Sequence, residues 1–204
     1  MQRSIRFLSV ATLIGLCGAL ATGQPEQAAP SSVPSGHPQI PLPGVAADWP
    51  KANPADVESI DAIMKAFYAA PAGAPGQARD WDRFKSLFVP DARLIPARPG
   101  AEGTAGAFFL PVADYVEANK AYFEKGGFWD TEVARRTESF GNIAHVWSTY
   151  ESRRKSEDNA PYLRGINSIQ LLKDGSRYWI ISVYWDYERE ECPIPEKYLT
   201  TPNP

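Results

Sequence analysis

Residues 177–190 read RYWIISVYWDYERE, a run of β-branched and aromatic residues that is apolar on both faces of a strand, with one acid, Asp186, among its rings. A strand with one wet face alternates apolar and polar residues, so a strand without that alternation is covered on both sides. The run follows Asp174-Gly175 and, before that, a β-rich run at 164–173; Asp-Gly between two such runs is a hairpin signal. Placing these two residues in the turn pairs Lys173 with Ser176, Leu171 with Tyr178, Ile169 with Ile180 and Asn167 with Ser182. One face then carries Leu171, Ile169, Asn167, Tyr178, Ile180, Ser182, Tyr184 and Asp186, and the other Trp179, Ile181, Val183 and Trp185. The first face grows more polar away from the turn, as a core does where it opens into a cavity.

Upstream, β-rich runs at 131–140 and 143–154 are joined by Gly141-Asn142, which pairs Phe140 with Ile143, Glu138 with His145 and Arg136 with Trp147. Ala144, Val146, Ser148 and Tyr150 share the opposite face. Four consecutive antiparallel strands form a meander. Before them the period is helical. NPADVESIDAIMKAFYAA, from Asn53, has Asn53 as cap, Pro54 at the first position, and Val57, Ile60, Met64, Phe67 and Tyr68 on one face. DWDRFKSLF, from Asp80, reads as a second, short helix, and PVADYVEANKAYFEKGG, from Pro111, as a third ending at Gly126; ARLIPARP, from Ala92, is a brief extended piece. Helices first and a meander afterwards predict an α+β fold, N-terminal helices packed on a curved antiparallel four-stranded meander.

The ends are of a different kind. MQRSIRFLSVATLIGLCGALATGQ has two early arginines, an apolar run too short for a comfortable membrane span, and small residues, the layout of a secretory signal peptide over 1–23. This predicts a periplasmic or secreted protein with no membrane span; a lipoprotein anchored at Cys17 fits less well because Leu16 precedes it. Removing the leader takes two arginines and no acid, so the formal net charge of −3 becomes more negative, which argues against a nucleic-acid partner. It also leaves Cys192 without an intramolecular partner. Residues 24–50 are rich in proline, alanine, serine and glycine and read as a disordered linker, 51–190 as one domain, and 191–204 as a proline-containing tail.

Chemistry-bearing residues are few. Asp186, flanked by Tyr184, Trp185 and Tyr187, is the first catalytic candidate: desolvation raises a carboxylate's pKa toward that of a general base, and Tyr184 or Tyr150 would donate to a developing oxyanion. The plainer reading ends the strand with Asp186 and bonds it to backbone, Arg164 or Arg189. His145 stands beside Glu138 either as a surface ion partner or as a catalytic group. No CxxC, HExxH or phosphate-cradling loop occurs, so no metal or other cofactor is expected. Trp147, Trp179 and Trp185 fall on the outer sheet face, a patch that a homodimer would cover.

GNIAHVWSTYESR and DGSRYWIISVYWD resemble the last strands of the nuclear transport factor 2-like superfamily, within it the SnoaL-like group, and the resemblance covers about residues 54–190. It implies a cone-shaped α+β barrel open at one end, with Tyr150, Asn167, Ser182, Tyr184 and Asp186 at a cavity that Tyr68 and Tyr115 reach from the helices. It is nearly silent on activity, because the superfamily holds isomerases, dehydratases, cyclases and non-enzymatic modules. The paired acids and tyrosine of the isomerases, and the histidine–aspartate pairs of the dehydratases, have no residue-by-residue match here. Two readings stand: an exported binder of a small apolar or aromatic ligand, with or without isomerase-, cyclase- or dehydratase-like chemistry at a cavity carboxylate, and a non-catalytic dimerisation module.

Overall fold

The computed structural model describes residues 48–201; the expected signal peptide and nearly all of the expected linker lie outside the described residues. In chain order the elements are α1 (Ile60–Ala69), α2 (Trp81–Ser86), β1 (Phe88–Pro99), β2 (Ala105–Ala107), β3 (Leu110–Pro111), α3 (Val112–Gly126), β4 (Trp129–Phe140), β5 (Ile143–Arg153), β6 (Leu163–Asp174) and β7 (Arg177–Tyr187). The fold is α+β, as expected, and β4 to β7 form the expected antiparallel meander. The arrangement is the one the nuclear transport factor 2-like resemblance implies, with one correction. The extended piece near Ala92 is a full strand of 12 residues, and β1 pairs parallel to β7, giving a seven-stranded sheet in the order β2-β1-β7-β6-β5-β4 with β3 beside β1. That sheet is curved and unclosed, ending at β4 and β2.

The first helix is also shorter than the pattern predicts. Asn53 does cap, accepting from the Ala55 N–H at 3.1 Å, but what it caps is a 3₁₀ turn over Pro54–Asp56. Val57 leaves helical geometry, and Ser59, accepting from the Ala62 N–H at 3.0 Å, starts α1. Two competing caps six residues apart divide one periodic stretch into two. Asp80 caps α2 through the Arg83 N–H at 3.0 Å, as expected. Gly127, at φ +71, ends α3; a Cβ there would stand 2.4 Å from the Arg154 carbonyl, so only glycine lets the strand-end segment approach.

Ile63, Met64 and Tyr68 of α1, Phe84 of α2 and Val112 of α3 bury against Val146, Ile169, Leu171 and Ile180 on the inner face of the sheet. Each fully buried aliphatic side chain contributes about 1.5–3 kcal/mol of transfer free energy. Trp49, at the end of the expected linker, also packs on this core and donates its indole N–H to the Phe88 carbonyl at 3.0 Å.

Two bulges decide which side chains look inward. The turn between β6 and β7 is Gly175-Ser176, with Gly175 at φ +57, and Asp174 pairs with Arg177; the expected pairing is displaced by one residue on each strand, which leaves the facing unchanged. Leu171 pairs with Ile180 and Gln170 with Ser182, so Ile181 is an extra residue. Beyond it every side chain of β7 changes face. Val183, Trp185 and Tyr187 turn inward, while Tyr184 and Asp186 turn outward. A second bulge lies at Val133: Ala134 pairs with Thr149 but Glu132 with Tyr150, which moves Asp130 opposite Ser152 on the inner face.

The expected tryptophan row is thereby dismantled. Trp185 faces the cavity, packing edge-on against Tyr115. Trp179 is buried under the Arg177 guanidinium, 3.2 Å from the ring centroid. Trp147 does face outward, but the chain's own tail covers it: Tyr198, in a 3₁₀ turn over Glu196–Tyr198, lies 5.4 Å from it, and the Thr149 hydroxyl donates to the Tyr198 carbonyl at 2.6 Å.

Candidate functional site

Between α3, the β1–β3 region and the inner face of β5 to β7 lies a cavity of about 610 Å³. Its walls are mostly rings, with Tyr115 and Phe123 from α3, Tyr150 from β5, and Trp185 and Tyr187 from β7. Phe108, Tyr122 and Tyr162 stand at its mouth, 59 %, 51 % and 44 % exposed. Polar side chains reach it as well, among them Asp130, Ser152, Asn167, Asn119 and Arg98. Enclosed aromatic walls with a small number of convergent polar groups are the usual composition of a small-molecule site.

Asp130 is the acid of this cavity. It belongs to β4, the Val133 bulge turns it inward, and the Ser152 hydroxyl donates to its Oδ1 at 2.5 Å. The residue is half-buried and touches the cavity space, and desolvation pushes its pKa up to about 7 while the Ser152 hydrogen bond pulls the other way. Acid and carboxylate forms therefore coexist near neutrality. The phenols of Tyr115 and Tyr150 are pushed above their ordinary value first by burial and then by the charge of Asp130. Tyr162 is pushed up to about 12, again chiefly by burial, with Arg154 opposing. All three stay protonated at neutral pH, so each has a proton to donate to a ligand.

Tyr150 owes its place to Gly165, its neighbour on β6: a Cβ on Gly165 would lie 2.7 Å from the Tyr150 hydroxyl and 2.6 Å from the Asp186 carbonyl. Behind the cavity wall, Asn167 Nδ2 donates to the Tyr68 hydroxyl at 3.0 Å, Tyr68 and Ser148 share a hydrogen bond of 2.7 Å, and the Ser148 hydroxyl donates to Glu132 at 2.5 Å. Since Ser148 spends its proton on Glu132, Tyr68 is the donor to Ser148. Glu132 is itself paired with Arg135.

The expected site is thus partly assembled. Tyr150, Asn167 and Tyr115 line the cavity, while Tyr68 lies one hydrogen bond behind Asn167. The other expectations are corrected. Tyr184 is 49 % exposed on the outer face, and Ser182 pairs with Gln170 there. Asp186 accepts from Arg189 Nη1 at 3.0 Å and from the Tyr187 N–H at 2.8 Å, the plainer of its two readings. His145 is also on the outer face, where it pairs with Glu138 in register and its Nε2 lies 2.9 Å from the Ser168 hydroxyl. The bulge at Ile181 removes Ser182, Tyr184 and Asp186 from the cavity. Asp130, Ser152, Trp185 and Tyr187 take their place, and the Asp within FWDTEV was the only signal for the first. Among the described residues, no group of three or more histidine, cysteine, aspartate or glutamate side chains is arranged to hold a metal ion. No helix among them is long and apolar enough to cross a membrane.

No family model and no curated protein matches the chain. Solved structures similar to it include an NTF-2 like protein of unknown function from Silicibacter pomeroyi, with 14 % identity over 63 % of this chain and 92 % of that one at a TM-score of 0.42. A protein of unknown function with a cystatin-like fold from Nostoc punctiforme matches at 12 % identity over 64 % and 90 % of the two chains, TM-score 0.49. An uncharacterised protein with a cystatin-like fold from Caulobacter vibrioides matches at 13 % over 65 % and 89 %, TM-score 0.47.

Proposed function

We propose that this chain is an exported protein that encloses a small apolar or aromatic molecule and exchanges a proton with it through Asp130. One observation carries the reading: a ring-walled cavity of about 610 Å³ is lined by a carboxyl, Asp130, whose pKa desolvation pushes up to about 7. A group poised near the working pH is suited to both taking and giving a proton. As carboxylate, Asp130 removes a proton from a carbon beside a ligand carbonyl, and a cavity phenol donates to the oxygen on which charge develops. As acid, it returns the proton to the same or a neighbouring carbon. Export rests on the leader-like segment 1–23, which lies outside the described residues.

The test has two stages. N-phenylnaphthylamine, a neutral fluorophore, brightens on binding to the wild-type protein and fails to do so with Ala118→Trp, in which an indole fills the mouth from an exposed α3 position. Proton exchange is then read from deuterium incorporation into the methyl group of acetonaphthone in deuterium oxide. Incorporation is lost in Asp130→Asn. No binding, or binding indifferent to Ala118→Trp, overturns the site; exchange that persists in Asp130→Asn overturns the role of the acid.

A second reading, a homodimer through the outer sheet face, draws on Phe140 and Ile143 there, which are 84 % and 60 % exposed beside the β4–β5 turn. Sedimentation of the wild type against Ile143→Glu decides it: a dimer that the charge dissociates supports the interface, and a monomeric wild type removes it.

A further inference from the structure

We infer that the ligand of this cavity is an amphipathic organic anion, its apolar ring body inside and its acidic group held at the mouth by Arg98 and Arg154. The inference rests on the reading of the cavity as a ligand site and adds the chemical class of the ligand. Three features carry it. First, the inner lining is rings and aliphatic side chains with the buried polar groups Ser152 and Asn167, and Asp130 there is an acid that burial makes largely neutral below pH of about 7. Second, one guanidinium lines the mouth and another stands beside it, over two of its phenols. Arg98 lines the cavity, with its Cζ 4.9 Å from the centroid of the Tyr187 ring. Arg154 lies over the two mouth phenols, 4.2 Å from Tyr162 and 5.0 Å from Tyr122. Third, neither is neutralised. Among the described residues neither makes an ion pair with a carboxylate.

Arg98 Nη1 donates only to the neighbouring Ala97 carbonyl at 2.9 Å. Arg154 Nη2 donates to the Tyr122 hydroxyl, while its Nη1 is enclosed and has no acceptor. That nitrogen stands close to α3, where a Cβ on Gly126 would be 3.2 Å from it. The negative end of the α3 dipole makes the site tolerable for a cation but leaves the N–H without a partner. A carboxylate or sulfonate at the mouth accepts charge-assisted hydrogen bonds from a guanidinium, which are stronger than neutral ones. Each guanidinium is also held by a ring, which restricts its rotamers and leaves it oriented before a ligand arrives. A cationic ligand would meet two uncompensated positive charges, and a wholly neutral one would leave both unpaired.

The class is tested with a matched pair. Anilinonaphthalene sulfonate and N-phenylnaphthylamine share one ring body, and only the first carries an anion. Wild-type protein is expected to bind the sulfonate about tenfold or more tightly than the neutral amine, a preference that falls with added salt as ion pairing requires. Arg98→Gln and Arg154→Gln each reduce that preference, the double variant removes it, and all three keep the affinity for the neutral amine. Arg98 is exposed, so its variant remains informative if Arg154→Gln folds poorly. Ala118→Trp abolishes binding of both dyes, which separates cavity binding from adsorption to the surface. Equal binding of the two dyes in the wild type, or a sulfonate preference that survives the double variant, overturns this inference while leaving the cavity reading intact. Binding of neither dye, or of both regardless of Ala118→Trp, overturns the cavity reading itself.

Discussion

Ser152 Oγ and Asp130 Oδ1 lie 2.5 Å apart across the β5–β4 ladder, and this hydrogen bond opposes the burial that raises the acid's pKa. The balance between the two sets both the chemistry of the cavity and the response of the fold to pH. In the unfolded chain the carboxyl ionises near its ordinary value of 3.8, and in the folded chain near 7. Between those values the folded state binds the extra proton. The contribution of Asp130 to stability is therefore full below a pH of about 4 and is lost as pH rises through about 7, by at most on the order of 4 kcal/mol. Water in the cavity reduces the figure. Urea unfolding across this range should show the wild type losing stability relative to Asp130→Asn as pH rises; parallel curves would show that Asp130 titrates normally.

Replacing Ser152 by alanine removes the one hydrogen bond that favours the charged form of Asp130, so the carboxyl should titrate still higher. The direct measurement is the carbon chemical shift of the Asp130 carboxyl followed by NMR. Wild type should show a midpoint near 7 and Ser152→Ala a higher one. A midpoint that falls would mean that another group supplies the stabilising hydrogen bond.

Gly165 is the closest approach between β6 and the ring of Tyr150. In Gly165→Ala the new methyl group meets both the Tyr150 hydroxyl and the Asp186 carbonyl at less than 3 Å. Such overpacking typically costs about 1–3 kcal/mol. Tyr150→Phe withdraws the hydroxyl and leaves the ring carbon at 2.9 Å and the Asp186 carbonyl as the remaining obstacles. The double variant should then be more stable than the sum of the single losses predicts, a coupling that urea unfolding of the four proteins measures. Strict additivity would place the Tyr150 ring elsewhere.

What the sequence revealed and what it hid follow from the periodicity of strands. Alternation and turn residues locate β4 to β7, and Gly141-Asn142 even fixes the β4–β5 register near the turn, with Glu138 opposite His145. A two-residue period carries facing only as far as the first extra residue. Ile181 and Val133 look like ordinary strand residues, yet as bulges they send Asp186 out and bring Asp130 in. Asp130 was illegible for this reason: without the Val133 bulge it would oppose Arg153 on the outer face. Tyr150, Tyr115 and Asn167 were placed correctly because no bulge intervenes between them and their reference turn or helix. The parallel strand β1 was hidden by its prolines and by its partner, β7, nearly ninety residues further along the chain.

The path from Asn167 through Tyr68 and Ser148 to Glu132 predicts a second kind of loss. Tyr68→Phe keeps the ring and its packing but takes away the hydroxyl that accepts from Asn167 and donates to Ser148. The Asn167 amide then lacks its partner, at a cost of about 1–3 kcal/mol if no water replaces the hydroxyl, while Ser148 keeps its bond to Glu132. Either Tyr68→Phe or Ser148→Ala breaks the Tyr68–Ser148 hydrogen bond, so the double variant, which loses it once, should lose less than the two single variants together. If Tyr68→Phe is neutral by urea unfolding, a water molecule has replaced the hydroxyl.

Beyond β7 the tail behaves as part of the domain. Tyr198 covers Trp147, and its carbonyl accepts from Thr149, while Arg136 Nε donates to the Lys197 carbonyl at 2.9 Å. Ending the chain after Pro195 strips this cover from the outer face. The lost ring contact and hydrogen bond together amount to about 1–3 kcal/mol. Trp147 should then emit at longer wavelength as water reaches it, and the shift should be absent when the same truncation is made in Trp147→Phe. The exposed ring would also join Phe140 and Ile143 in one apolar surface, so the truncated protein should self-associate more strongly than the full chain in sedimentation. Unchanged emission would mean that residues after Pro195 do not seal Trp147.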